Sequence, residues 1–487
     1  MARALKGFTM NRTSAFLATA AVLLLLAVVI GLPKVTSAPP VQPPPPVVSQ
    51  PAQPPPVVAP ASNPGSLSLT GRLSHPYLVP GTSDVFATLE VTAVDVPGAR
   101  RAPVNLAVVI DRSGSMSGAK IENARRAASR LVDLLDEHDR IAIVHYGTDV
   151  DAMNSVFATP ENKVRLQRFI ANIWDNGGTN IGDGLAAGQR QIDKARSDFK
   201  VNRLLLLSDG QPTVGITSSQ GLVNVVRRIR DSGISVTSLG VGADFNEDLM
   251  QRLADVGGGS YGFISNAAAT AQLFQKDLEQ AGTMVASSAS LSFTVPAGVR
   301  FVQVFGRPVS QLGNTVTVSL PDFSARQVEK IVVQLSATPG VRNGTIDLGN
   351  FQLAYSDLLT SKPADARVAL SAMVTDDSTL ALGKRDKDAV VLANKARAAV
   401  NYRKAAEAID RGDFNDAQAA LRQNTILFDE ADAVGGAGAM ADERSTNSGF
   451  FGLSTAAPAA PMEVRREAVK KMKSDALKSS GRGASVY

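Results

Sequence analysis

The spacing of apolar positions changes along the chain, and each change marks a different architecture. Between 67 and 96 the pattern alternates, with Val85, Ala87, Leu89 and Val91 separated by Phe86, Thr88, Glu90 and Thr92. A period of two is the mark of a strand with one buried face. At 104–110 the apolar run is nearly continuous, as in a strand covered on both faces within a parallel sheet. A Gly/Ser loop follows. Ile121, Ala124, Ala128, Leu131 and Leu135 then fall three or four apart, on one face of a helix. The same reading predicts a strand at 141–146, a helix near 160–172, a glycine-rich loop at 176–184 and a helix to Arg196. It continues with a strand at 204–207, a helix marked by Leu222, Val225, Val226 and Ile229, and a stop at Gly233. A strand at 236–241, a helix at 246–255, a short strand at 261–264 and a helix at 267–281 complete the series. Strand and helix alternate throughout 102–284, which predicts an α/β domain with a doubly wound parallel sheet.

From 285 to 378 the period returns to two, as in Leu291/Phe293/Val295 and Val368/Leu370/Ala372/Val374. This predicts an all-β sandwich. The isolated β segment at 65–100 needs strand partners and is expected to join it, so that the α/β domain is inserted in, or flanked by, the sandwich. Residues 386–432 read as a helical hairpin turning at Gly412-Asp413-Phe414. Its shape resembles a single tetratricopeptide-like repeat, which cannot bury its own face, so it is expected to pack on the sandwich. Residues 433–487, rich in Gly, Ala and Ser and ending in a basic stretch, are expected to form a flexible basic tail.

Composition changes this picture mainly at the two ends. The 487 residues are too many for one core. The net charge is +5, but 1–38 and 462–487 each carry +4, which leaves −3 for 39–461. A slightly acidic body gives no case for nucleic-acid binding. Arg3, Lys6 and Arg12 precede an uncharged run at 15–32. Residues 1–38 therefore read as an export signal, cleaved or retained as a signal-anchor. The prolines directly after Ala38 favour the uncut form. Residues 39–64 are a proline-rich spacer. The expected location is outside the cytoplasmic membrane: anchored in the inner membrane by the N-terminal segment and facing the periplasm or cell exterior, or secreted if the signal is cut. The chain has no cysteine, which excludes disulfides, thiol catalysis and thiolate metal sites.

The candidate chemistry lies at the end of the first buried strand. Asp111-Arg-Ser113-Gly-Ser115 follows it directly. Alone, this string is a turn that caps the next helix. Its place gives it weight, because open α/β sheets bind ligands where loops cluster at the carboxyl ends of strands. Thr179, in Asn176-Gly177-Gly178-Thr179-Asn180, and Asp209, in Ser208-Asp209-Gly210, are expected at the same rim. Two carboxylates and three hydroxyls, with no His or Cys, suit a hard cation. Mg²⁺ is the preferred ion, with Mn²⁺ or Ca²⁺ as alternatives. Trp174, the only tryptophan, is read as a core residue closing its helix, or alternatively as a contact anchor on the rim.

These stretches resemble the von Willebrand factor A domains that carry a metal-ion-dependent adhesion site. The matching segments are 108–116 with Lys120, Gly177-Gly178-Thr179-Asn180, and Leu207-Ser208-Asp209-Gly210. The flanks resemble, more loosely, bacterial exported proteins that set such a domain within an Ig-like sandwich. The resemblance implies that Ser113 and Ser115 bind the metal through their hydroxyls and that Thr179 joins in the ligand-engaged state. Asp111 and Asp209 would act mostly through water. It further implies a Mg²⁺-dependent adhesion module that takes an Asp or Glu carboxylate from a protein partner. The alternative is a structural or regulatory envelope scaffold in which the metal only stabilises the fold.

Enzymatic readings fail on their parts. Ser117-Gly-Ala-Lys120 fits S-x-x-K, but no S-D-N or K-T-G accompanies it. The histidines are His75, His138 and His145, and none is placed to serve a Ser/His/Asp triad or a zinc site. No phosphate-binding G-x-x-x-x-G-K-[ST] string occurs. A cytosolic subunit of a metal-inserting ATPase complex conflicts with the export signal.

Overall fold

The computed structural model describes residues 65–482 apart from 98–100, 243, 265–274, 277, 281 and 340–343. The expected export signal and proline-rich spacer lie outside the described residues, as does most of the helix expected at 267–281. Among the described residues no helix is long and apolar enough to cross a membrane.

The alternating segment forms β1 (Leu67–Leu73), the short β2 (Tyr77–Leu78) and β3 (Ser83–Ala93). The α/β region follows with β4 (Val104–Asp111), β5 (Arg140–Tyr146), β6 (Val150–Phe157), β7 (Val201–Ser208), β8 (Ser235–Val241) and β9 (Gly258–Ile264). Its sheet runs β6-β5-β4-β7-β8-β9, parallel except for the antiparallel edge strand β6. Every residue of β4, β7 and β8 is buried, as the continuous apolar runs require. Along β4, Leu106, Val108 and Ile110 join one core and Ala107 and Val109 the other. The first core takes α1 (Ala119–Leu134) and α2 (Pro160–Ala171). The second takes α3 (Ile181–Asp193), α4 (Ser219–Asp231) and α5 (Glu247–Gly257). Strand β6 was not expected. All of its residues but Ser155 are half-buried or exposed, as suits an edge.

The remaining strands are β10 (Met284–Thr294), β11 (Val299–Val304), β12 (Val309–Leu312), β13 (Thr315–Ser319), β14 (Phe323–Ser324), β15 (Val328–Ala337), β16 (Thr345–Asp357) and β17 (Lys362–Val374). One sheet runs β1-β3-β15-β11 and the other β12-β13-β10-β16-β17-β2, with β14 on β10. Strand β3 sits between β1 and β15, pairing Leu89 with Ile331. Leu69 and Val91 from before the α/β region share one apolar core with Leu291, Phe351 and Val368 from after it. The α/β region is thus an insertion between strands of one sandwich.

After α6 (Ser378–Gly383), α7 (Lys387–Arg411) and α8 (Phe414–Gly435) form the expected hairpin. Its turn places Gly412 in the left-handed region and caps α8 with Asp413. Helix α7 rests on the sandwich through Ala393 and Ala396, against Phe86, Phe305 and Val332. The expectation of a flexible tail from 433 is corrected. Residues beyond α8 form α9 (Ala441–Ala456) and α10 (Met462–Ser479). Val469, Met472 and Ala476 of α10 are buried in the helical core, and Leu477 enters the second core of the α/β domain. Two basic residues of this segment are held in ion pairs: Lys473 with Glu247, and Arg482 with Asp255.

Lys470 on α10 stands 3.7 Å above the Phe245 ring. Burial there pushes its ammonium down to about 8, against the pull of Glu247 and Asp244. The depressed value belongs to the folded state, so between about 8 and 10.5 the unfolded chain holds more of this proton. Stability from this residue therefore rises with pH across that window. A Lys470 side-chain resonance titrating near 8 checks the seating of α10, and a midpoint at the ordinary lysine value would contradict it.

Candidate metal centre

Parallel register brings the strand ends together. Asp111 closes β4 opposite Tyr146 of β5, and Ile110 pairs with Leu207, one residue before Ser208. Asp111 is fully buried. Its Oδ1 accepts the Ser113 N–H at 2.9 Å. Its Oδ2 accepts the Ser208 hydroxyl at 2.6 Å and the Tyr146 hydroxyl at 3.2 Å. The carboxylate is thus the organiser of the rim. Burial pushes its pKa up to about 6, opposed by the hydrogen bonds from Ser113 and Ser208 and reinforced by the charge of Asp209. Tyr146 is driven well above the ordinary phenol value, chiefly by burial, and stays a donor.

The loop after β4 turns through a single 3₁₀ turn, Gly114–Met116, and drops Met116 into the core as an anchor. This leaves the Ser113 and Ser115 hydroxyls 3.0 Å apart. Ser113 is buried and Ser115 exposed, so the pair runs from the interior to the surface.

The loop carrying Thr179 is fastened at its backbone. Gly114 N–H donates to Gly177 O at 3.0 Å. Gly178 N–H donates to the Thr148 hydroxyl and Thr179 N–H to the Thr213 hydroxyl, each at 2.9 Å. Gly177 has φ +82°, and a Cβ there would lie 2.8 Å from Thr148 Oγ1, so this position needs glycine. Asn180 caps α3 and binds Asp183, which accounts for both without a role at the rim.

Asp209 is buried, and its Oδ1 has no hydrogen-bond partner among the described residues. Its Oδ2 lies 3.4 Å from the Lys120 ammonium. A buried carboxylate oxygen without a donor is costly and calls for an explanation. A hard cation supplies one, and the neighbouring donors are oxygens. No cluster of three His, Cys, Asp or Glu occurs among the described residues, so a cation here must take hydroxyl oxygens beside the two carboxylates. The residues present therefore fit a Mg²⁺-type ion.

Asp111 touches Ser113, and Ser113 touches Ser115. Asp209 joins them beside Ser208. Thr179 reaches the same rim through the Gly114–Gly177 bond and makes no hydrogen bond with the other four among the described residues. Tyr146, Ser208, Thr148 and Thr213 were not singled out. Tyr146 and Ser208 are polar residues ending buried strands next to β4, a signal that could have found them. Lys120 binds Asp209, Asp244 and the Ser115 carbonyl. Trp174 is not a core residue: it is 66 % exposed, with the Arg125 guanidinium 4.9 Å over its ring. His145 accepts a hydrogen bond from Arg112 and packs on Phe169, a structural role.

Comparison with known proteins agrees with this architecture. The chain is 33 % identical over 213 residues to the uncharacterized protein YfbK of Escherichia coli (strain K12), covering 43 % of this chain and 36 % of that one. It is 34 % identical over 164 residues to inter-alpha-trypsin inhibitor heavy chain H4 of Homo sapiens, covering 32 % and 18 %. The chain thus spans about a third of the first relative's length and under a fifth of the second's. A solved structure, a von Willebrand factor type A protein from Catenulispora acidiphila, superposes with a TM-score of 0.61 at 18 % identity, covering 81 % of this chain and 90 % of that one. At that identity the likeness is one of fold. The family model of the von Willebrand factor type A domain matches residues 105–277. Proteins of this kind commonly use the domain for protein–protein interaction, and it commonly binds a divalent metal. Residues 105–277 of this chain are a von Willebrand factor type A domain.

Proposed function

We propose that the rim is a Mg²⁺ site through which the chain binds a carboxylate of a protein partner in the cell envelope, without catalysing a reaction. The observation that carries this reading is the buried Asp209 Oδ1, unpartnered among the described residues, together with the Ser113–Ser115 hydroxyl pair. Ser113, Ser115 and Thr179 would hold the ion, and Asp111 and Asp209 would orient its waters. An ion held by neutral hydroxyls keeps much of its charge and offers it to a partner's Asp or Glu. Mn²⁺ or Ca²⁺ could take the same place. Exposed Ser115 marks where the partner arrives. The export signal read at 1–38, with the spacer after it, supports a position outside the cytoplasmic membrane, held by the N-terminal segment if it is uncut.

A second reading has its own observation. The Lys120 ammonium already neutralises Asp209 in part, which favours a scaffold in which the metal only stabilises the fold. A capture experiment from envelope extract separates the two. With Mg²⁺, wild type is expected to retain partners that are lost with EDTA and with Asp111→Ala. Identical partners in all three arms would leave the scaffold reading standing and overturn the metal bridge.

The exposed Trp174, with the Arg125 guanidinium over its ring, extends the docking face beyond the ion. Trp and Arg are frequent binding anchors, with truncation costing about 2 kcal/mol or more. Trp174→Ala is expected to weaken a captured partner roughly thirtyfold while Mg²⁺ affinity stays unchanged. Equal partner affinity in the variant would remove Trp174 from the face.

A further inference from the structure

We propose that the C-terminal helix α10 sets the cation affinity of the site, by holding in place the residues that draw Lys120 away from Asp209. The inference rests on reading the rim as a cation site.

Lys120 is shared between two acids. Its Nζ lies 2.7 Å from Asp244 Oδ1 but 3.4 Å from Asp209 Oδ2, and it donates to the Ser115 carbonyl at 3.0 Å. Asp209 is buried, whereas Asp244 is half-exposed. The ammonium thus stands beside the place a cation would take, and competes with it for Asp209. Asp244 holds the ammonium at the farther end of that range. Partial burial pushes the Asp244 carboxyl up, but its hydrogen bond and charge contact with Lys120 outweigh this and keep it below the ordinary carboxylate value.

What fixes Asp244 is α10. Lys470 donates to the Gly242 carbonyl at 3.3 Å and lies over the Phe245 ring. Lys473 pairs with Glu247, the first residue of α5. The Asn246 N–H donates to the Asp209 carbonyl at 2.7 Å. Gly242 also carries the Lys120 stem: with φ +83°, a Cβ there would come 2.6 Å from Lys120 Cε. Gly242, against Lys120, and Phe245 and Glu247, beyond Asp244, are therefore clamped by two lysines of α10. The other face of α10 is buried in the helical bundle through Val469 and Met472. A change in the bundle is transmitted to the rim through this clamp, with Lys120 as its last member.

Calorimetric titration of the full chain with Mg²⁺ tests this, using wild type, Lys120→Met, Asp244→Asn, Lys470→Met and the Lys120→Met/Lys470→Met double variant. Removing the competing ammonium in Lys120→Met is expected to tighten Mg²⁺ on the order of tenfold. Asp244→Asn is expected to weaken it severalfold. Lys470→Met carries the sharpest expectation. Loss of a nearby positive charge would by itself tighten a cation. The clamp instead predicts weaker binding, because Asp244 no longer holds Lys120, and it predicts that this weakening disappears when Lys120 is also Met. Tighter or unchanged binding in Lys470→Met, or an effect that persists without Lys120, overturns the clamp. Asp244 is half-exposed and its substitution leaves the core intact, so unchanged Mg²⁺ affinity in Asp244→Asn overturns it independently. Wild type that binds no Mg²⁺ overturns the underlying site reading instead.

Discussion

Asp111→Ala is expected to abolish the Mg²⁺-dependent rise in melting temperature of the wild-type chain. A ligand that binds only the folded state stabilises it by RT times the logarithm of one plus the ratio of its free concentration to its Kd. The substitution removes more than one oxygen. It strands three buried donors, the Ser113 N–H, the Ser208 hydroxyl and the Tyr146 hydroxyl. The loop that aligns Ser113 with Ser115 loses the bond that shapes it. Removing such an orienting partner costs a metal site about 10–100-fold, and here the same group also shapes the ligand loop, so a loss at or above the upper end is expected. A thermal scan at millimolar Mg²⁺ reads the effect. A shift in the variant equal to that of wild type would mean that Asp111 does not build the site.

Ending the chain after Ala460 is expected to cost the fold roughly 5 kcal/mol, from the lost burial of Val469, Met472 and Leu477. The loss is shared between the helical core and the second core of the α/β domain. It also strands Glu247 and Asp255, the partners of Lys473 and Arg482. The melting temperature should fall on the order of 10 °C or more. A solvated tail, which composition suggests for this segment, would leave it unchanged. The same truncation thus decides between the folded helix and the tail.

That contrast explains where the chain is readable and where it is not. The α/β domain is legible because its strands are long apolar runs and its helices carry Leu, Ile and Val at helical spacing. The insertion in the sandwich is legible from one unpaired alternating segment, which needs partners and finds them in β15. The helices beyond the hairpin are not: α9 is largely Gly, Ser, Thr and Ala, and α10 is dense in charge, its buried face reduced to Val469, Met472, Ala476 and Leu477. Alanine is the strongest helix former and permits close helix packing, yet Gly, Ser and Ala together read as linker. Trp174 misleads in the opposite sense. A large aromatic at a helix end usually points inward, but its ring lies on Arg125 at the surface. At the rim, Asp111, Ser113, Ser115, Thr179 and Asp209 are visible as motif residues. The partners that fix them, Tyr146, Ser208 and Thr213, come from other strands and loops, and only the parallel register brings them near.

The central claim is that the rim binds a divalent cation through the oxygen set built around Asp209. Isothermal titration of Mg²⁺ into the full chain, wild type against Asp209→Ala, tests it most directly. The account predicts one saturable site in wild type and none in the variant. Equal binding in both, or none in wild type, would contradict it.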